Sequence, residues 1–317
     1  MKAAPAPPFT LTALFYCFLD RLQFDSELRT CSSCDQPETG RAGPSPRCSQ
    51  TGSWRVAIRQ EAQSPPRLQF NGMIGKAHIG TSGFTYEHWR DVFYPPDVPQ
   101  KRWLEFYAQH FETTELNNTF YAMPRPNVCL GWRERTPEGF CFAVKLNRLI
   151  THRKRLADSS GLLDRYLDAA GNLGEKLGPI LVQLPPHWHA NPQRLDEFLG
   201  VCPRRHRWAV EFRDETWLCE EVFEILRKHN AALCIHDIIA DHPWVVTADW
   251  LYLRYHGSGG AVYAGDYPAN YLNEQAHRIG QELHAGRDVY AYFNNDALGY
   301  AVRNALDLKR LVCAVHK

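Results

Sequence analysis

No apolar run in this sequence approaches the roughly 20 residues that span a bilayer. The nearest, Leu11 to Leu19, is short and preceded by only one basic residue, Lys2. It runs into Asp20 and Arg21 where a small-residue cleavage site would stand, so a signal peptide is not expected. Charge of one sign is also lacking: 36 Lys and Arg face 35 Asp and Glu, for a formal net charge of +1. That balance gives no global pull toward nucleic acid or a membrane surface. There is no GxSxG, and no serine or cysteine sits in a recognisable nucleophile context. Cys129, Cys219 and Cys234 read as core or helix residues. The ten cysteines are scattered through a chain too large to depend on disulfides, so reduced thiols in a cytoplasmic protein are expected. Cys31 and Cys34 form a CxxC with Cys48 nearby, but no fourth ligand stands at zinc-finger spacing, and no metal site is expected there.

The chain has 317 residues, 44% of them hydrophobic and 12% aromatic, which is ample for a large core. Composition changes near Met73. Before it come proline, serine and glycine clusters such as GRAGPSPRCSQTGS and QSPPR. Residues 1–72 therefore read as a low-complexity, poorly ordered extension, or as residues upstream of a true start at Met73. Residues 73–317 read as the folded domain.

From residue 77 onward, eight strand-like runs recur: 77–84, 113–121, 140–146, 179–186, 208–214, 232–238, 250–257 and 288–296. Most gaps hold an amphipathic helical pattern. Trp103, Phe106, Tyr107 and His110 fall at i, i+3, i+4 and i+7, as do residues of the stretches 161–177, 219–229 and 297–312. Strands alternating with helices imply parallel pairing through right-handed crossovers. Eight such units in about 240 residues predict a (β/α)8 TIM barrel. A doubly wound open sheet is the rival fold, but no GxGxxG follows the first strand.

In such a barrel, chemistry sits where the carboxyl ends of the strands converge. Every run turns polar there. Glu115 and Asn117 lie on the second, Lys145 ends the third with His152 downstream, and Gln183 ends the fourth. Glu211 and Arg213 end the fifth, His236 and Asp237 the sixth, Arg254 and His256 the seventh, and Asn294, Asn295 and Asp296 the eighth. Period-2 alternation puts Glu115 with Asn117, Glu211 with Arg213, Arg254 with His256, and Asn294 with Asp296 on shared faces. It also puts Cys141 and Ala143 beneath Lys145, small residues in a crowded interior. A single polar strand end is often a helix cap or turn former, and Asn295 or Asp296 fits that use. Arg213 and Arg254 are less ordinary: an arginine within an apolar strand must find a carboxylate or await an anion.

The mixed signs of this ring favour an anionic organic ligand, phosphorylated or carboxylated, over a multi-metal centre, because interleaved cations repel a metal. No cofactor is predicted. A divalent metal held by His152, His236, His256, Glu115, Glu211 and Asp237 is the alternative. For an enzyme, the expected catalytic set is Glu211 as general base, His256 as its acid–base partner, Lys145 for an oxyanion or as nucleophile, and Asp237. Glu211 could instead form an internal ion pair with Arg213 or Lys145. Arg213, Arg254, Glu115, Asn117, His152, Gln183, Asn294, Asn295 and Asp296 are the expected substrate-binding residues. Hydrolase, lyase and isomerase chemistry all remain open. Trp89, Tyr121, Trp188, Trp217 and Tyr255 cluster near strand ends, as packing or as stacking surfaces.

The stretches IGTSGFTYEHWRDVFYP, FETTELNNTFYAMP, TPEGFCFAVKLNRLITH, KLGPILVQLPP, AVEFRDETW, YLRYHG and VYAYFNNDALGYA, in this order over 77–310, resemble the YecE-like family. Phe84 stands where that pattern has tryptophan. The resemblance implies a TIM barrel of a domain of unknown function and brings no established reaction. It is also similar, at fold level only, to xylose-isomerase-like and endonuclease-IV-like barrels. A metal-dependent phosphodiesterase or nucleic-acid-binding barrel, and a non-catalytic ligand-binding barrel, are therefore the alternative functions. Nucleic acid is a less favoured partner than a small anionic ligand, and no membrane partner is expected.

Overall fold

The computed structural model describes residues 75–257 and 263–315. The expected extension over 1–72 and its cysteines lie outside the described residues. The six described cysteines are all free thiols.

All eight runs form strands: β1 Ala77–Ser82, β2 Thr113–Leu116, β3 Cys141–Lys145, β4 Leu177–Gln183, β5 Trp208–Glu211, β6 Ala232–His236, β7 Trp250–Tyr255 and β8 Asp288–Phe293. Each pairs in parallel with the next, and β8 returns to β1 through the register Ala77↔Val289 to Thr81↔Phe293, closing a barrel. Because all strands run the same way, their polar carboxyl ends meet on one side. The second run stops earlier than its sequence suggests. Residues Asn118–Tyr121 form a helical turn, and the Thr119 hydroxyl fixes it by donating to the carbonyls of Leu116 at 2.9 Å and Lys145 at 2.7 Å.

The helices are α1 Trp103–Tyr107, α2 Pro126–Glu134, α3 Ser160–Ala170, α4 Pro192–Val201, α5 Glu220–His229, α6 Ala269–His284 and α7 Tyr300–Val315. α5 shows why these stretches coil. Val222, Phe223 and Leu226 bury one stripe, Glu220 and Glu221 open it, and Arg227, Lys228 and His229 close it, matching the helix dipole. Asn230, at φ 51°, ends it in a left-handed cap. Between β6 and β7 residues 237–249 contain no helix. Thr247 pins that segment, accepting from Leu233 N–H and donating to Ala231 C=O, both at 2.7 Å.

Two apolar layers result. Outward-facing strand residues such as Val144, Val182, Val210 and Leu253 pack under the helices. Inside the bore, the small Ala143, Ala209 and Ala232 lie among the bulky Trp250, Tyr252, Tyr290 and Tyr292. Small and large residues are matched across the interior, as close packing requires. Tyr107 from α1 ties β1 to β2: its hydroxyl accepts from Thr81 N–H at 3.0 Å and donates to Thr113 C=O at 3.1 Å. Among the described residues no helix is long and apolar enough to cross a membrane.

Candidate functional site

At the upper end of the bore three strands bring charge together out of contact with the surface. Glu115 on β2 and Glu211 on β5 are each 0% exposed, and Arg254 on β7 is 1% exposed. Arg254 bridges them, its Nη2 donating to Glu115 Oε1 at 2.8 Å and its Nη1 to Glu211 Oε2 at 2.6 Å. Arg213, just past β5, grips Glu211 Oε1 through Nε. Two carboxylates and two guanidiniums sum to zero charge, the condition under which buried ions are tolerable. Burial alone would raise the Glu211 carboxyl, but Arg213 and Arg254 outweigh it and hold the group well below the usual carboxylate range.

The remaining acceptors of Glu115 are also occupied. Tyr252 donates its hydroxyl to Oε2 at 2.6 Å, and Ser82 donates to Oε1. Burial, then the Glu115 charge, push the Tyr252 phenol well above its ordinary value, so it stays a donor. Ser82 Oγ in turn accepts from Arg254 Nη2 at 3.2 Å and from Asn117 Nδ2 at 2.8 Å.

His256 closes the array. Its backbone N–H donates to Asp237 Oδ1 at 2.8 Å, and its ring Nδ1 lies 3.2 Å from the same oxygen. Nδ1 therefore carries the proton, and Nε2 accepts from Arg254 Nη1 at 3.1 Å and from Arg213 Nη2 at 3.4 Å. Burial and the two arginines, against the pull of Asp237, lower the ring to about 4, so it is neutral at pH 7. Asp237 is fixed from its other side by the Tyr267 hydroxyl, which itself accepts from Gly257 N–H at 2.7 Å. His236 uses both ring nitrogens, Nε2 toward Phe212 C=O at 2.7 Å and Nδ1 toward Ile238 N–H at 3.2 Å, and burial lowers it to about 3.

The other expected residues divide. Lys145 and His152 both contact Phe120: Lys145 Nζ stands 4.1 Å from the centre of its ring, and the His152 ring meets it in a T-shaped arrangement at 4.9 Å. Gln183 is in register with Glu211, but its amide folds onto Leu184 C=O at 3.1 Å. Asn294 follows β8 at the same level, and its amide makes no side-chain hydrogen bond among the described residues. Asn295 points away from the bore, donating to Gly265 C=O at 2.8 Å and to Asn304 at 2.9 Å. Asp296 is at the rim, 3.2 Å from His88 Nε2, and its side chain does not cap the following turn. Among the described residues no group of three or more His, Cys, Asp or Glu converges as a metal cage. Between the two glutamates it is Arg254 that takes the cation's place.

Three participants were not singled out as site residues by sequence. Ser82 is one of the polar strand ends. Tyr252 shares the face of Arg254 and His256 at period 2, a signal that was available. Tyr267 comes from a loop and carries none. Open hollows of about 350 and 490 Å3 lie elsewhere, beside Met123 and Arg165 and beside Leu272 and Arg303. In the second, Arg303 pairs with Asp266 and Arg310 with Asp307 on the surface, and neither hollow holds a buried charge comparable to the mouth.

Fold and site together define a (β/α)8 barrel with a buried, charge-balanced ionic cluster under its carboxyl-terminal mouth. The family model described as "Protein of unknown function DUF72" matches residues 78–317, and the chain belongs to that family. It is similar to the UPF0759 protein YecE of Escherichia coli, 35% identical over 113 residues, or 35% of this chain; the match spans 41% of YecE's length. It is also similar to the UPF0759 protein YunF of Bacillus subtilis, 25% identical over 271 residues, covering 74% of this chain and 94% of YunF. A solved structure of a family member from Thermotoga maritima superposes with a TM-score of 0.63 at 27% identity, covering 75% of this chain and 99% of that one. One from Enterococcus faecalis, at 20% identity and TM-score 0.63, shares the fold.

Proposed function

We propose that this barrel is an enzyme that acts by acid–base chemistry on a small anionic compound, phosphorylated or carboxylated, held at its carboxyl-terminal mouth. The observation that carries the reading is the fully buried Glu115–Arg254–Glu211 bridge with Arg213 locked at its upper edge. A barrel interior gains more from apolar packing than from buried ions, so such a cluster argues for a use beyond stability. Arg213 Nη1 has no partner among the described residues, and a guanidinium held rigid by a carboxylate is prepared for a second anion.

In this reading Glu211, Asp237 and His256 position the arginines. Glu211, between two cations, is a weak base, because basicity falls with pKa. Proton transfer falls instead to Lys145 and His152 around Phe120, and Arg213 meets the negative charge that develops. Hydrolysis, elimination and isomerisation all share that need.

The test uses the full chain. Calorimetry with inorganic phosphate and with a panel of phosphorylated and carboxylated compounds should show binding that Arg213→Ala weakens at least tenfold. Lys145→Met should keep binding and lose turnover of whichever panel member reacts. Anion binding untouched by Arg213→Ala would overturn the site. Binding without turnover of any panel compound would leave a ligand-binding barrel.

A further inference from the structure

We infer that the anion taken by this mouth also carries a hydroxyl group, as in a hydroxy acid or a polyol phosphate, and that this hydroxyl donates its proton to Asn117. The inference rests on the anion-binding reading above and narrows its substrate class.

The argument starts from the single proton of Ser82. It is given to Glu115, and the lone pairs of the same oxygen receive Arg254 Nη2 and Asn117 Nδ2. That settles the orientation of the Asn117 amide. Turned the other way, Oδ1 would face an oxygen with no proton left to share. The Asn117 carbonyl oxygen must therefore point away from Ser82, and there it is enclosed and has no partner. Asn117 is the first residue beyond β2 and shares the face of Glu115, so its side chain lies on the carboxyl-terminal side of the glutamates.

A second bare acceptor stands across the ring, on the β6 side. His242, in the segment between β6 and β7, packs its ring 4.6 Å from that of His236 and feels the Glu211 charge. Its Nδ1 is 3.1 Å from Pro243 C=O, which can only accept, so Nδ1 carries the proton and Nε2 the lone pair. Nε2 too is enclosed without a partner. His236 and His256, by contrast, have both nitrogens engaged.

Buried acceptors without donors are uncommon because they lose water and gain nothing. A phosphate or carboxylate oxygen cannot satisfy them, being an acceptor itself. An ammonium group could, but it would stand in the field of Arg213, Arg254 and Lys145. A neutral hydroxyl is the donor that fits. Arg254 Nε–H, also enclosed and without a partner, suits the same kind of group, since a hydroxyl accepts as well as donates.

Titration calorimetry on the full chain with glycerol 3-phosphate, propyl phosphate and inorganic phosphate tests this, alongside glycerate and propionate for a carboxylate head. A site built to bond a hydroxyl discriminates against the analogue that lacks it. Glycerol 3-phosphate or glycerate should bind at least tenfold more tightly than its deoxy partner, and Asn117→Ala should bring the two within about twofold. Equal affinity of a hydroxylated and deoxy pair in the unaltered protein, with Arg213-dependent anion binding retained, would overturn the inference and leave the anion-binding reading standing. Loss of all anion binding would overturn both. The comparison of ligands on the unaltered protein decides the matter even where Asn117→Ala fails to fold.

Discussion

Arg254 serves two carboxylates with one guanidinium at a depth where an isolated charge would be untenable. Sequence could show that an arginine inside an apolar strand needs a counter-ion. It could not show that two glutamates from β2 and β5 would share it, because that depends on which strand ends lie opposite in the closed ring. The same depth governs titration. The folded His256 ring sits at about 4 against an ordinary 6.5, so between those values the unfolded chain binds a proton that the folded chain refuses. Stability from this group is complete above pH 6.5 and is lost as pH falls toward 4, by about 3 kcal/mol. His236, lowered to about 3, adds to the same limb. Glu211, held below the carboxylate range, loses its contribution only at still lower pH. Urea unfolding followed from pH 7 to 4.5 should therefore show a falling free energy, and His256→Gln should flatten the slope. An unchanged slope would mean that His256 titrates normally.

At the scale of elements, the strands were legible because each is a short apolar run with a polar end, and parallel pairing follows from the helical patterns between them. The second strand was read too long, since Thr119, Phe120 and Tyr121 all favour β structure in isolation. The structure ends it at Leu116, where Thr119 turns its hydroxyl back onto two carbonyls. Such a local bond outweighs propensity. Pairing of β1 with β2 is brief, from Thr81↔Thr114 to Ser82↔Glu115, and the Tyr107 hydroxyl extends it by serving one backbone group of each strand. Tyr107→Phe strands a buried Thr81 N–H and should cost about 1–3 kcal/mol, read as a lower denaturation midpoint at constant m-value. A change below about 0.5 kcal/mol would show that the hydroxyl is dispensable.

For the molecule as a whole, the fold depends on ring closure, and every strand among the described residues lies between Ala77 and Phe293. A chain beginning at Met73 keeps all eight. It should unfold in one cooperative transition with the midpoint of the full chain, and a shifted or broadened transition would show that residues 1–72 support the barrel. Below the ion cluster, Trp250, Tyr252, Tyr290 and Tyr292 fill the bore. That aromatic stopper closes the lower part of the bore, so under the function proposed above a ligand would have to enter and leave by the same rim.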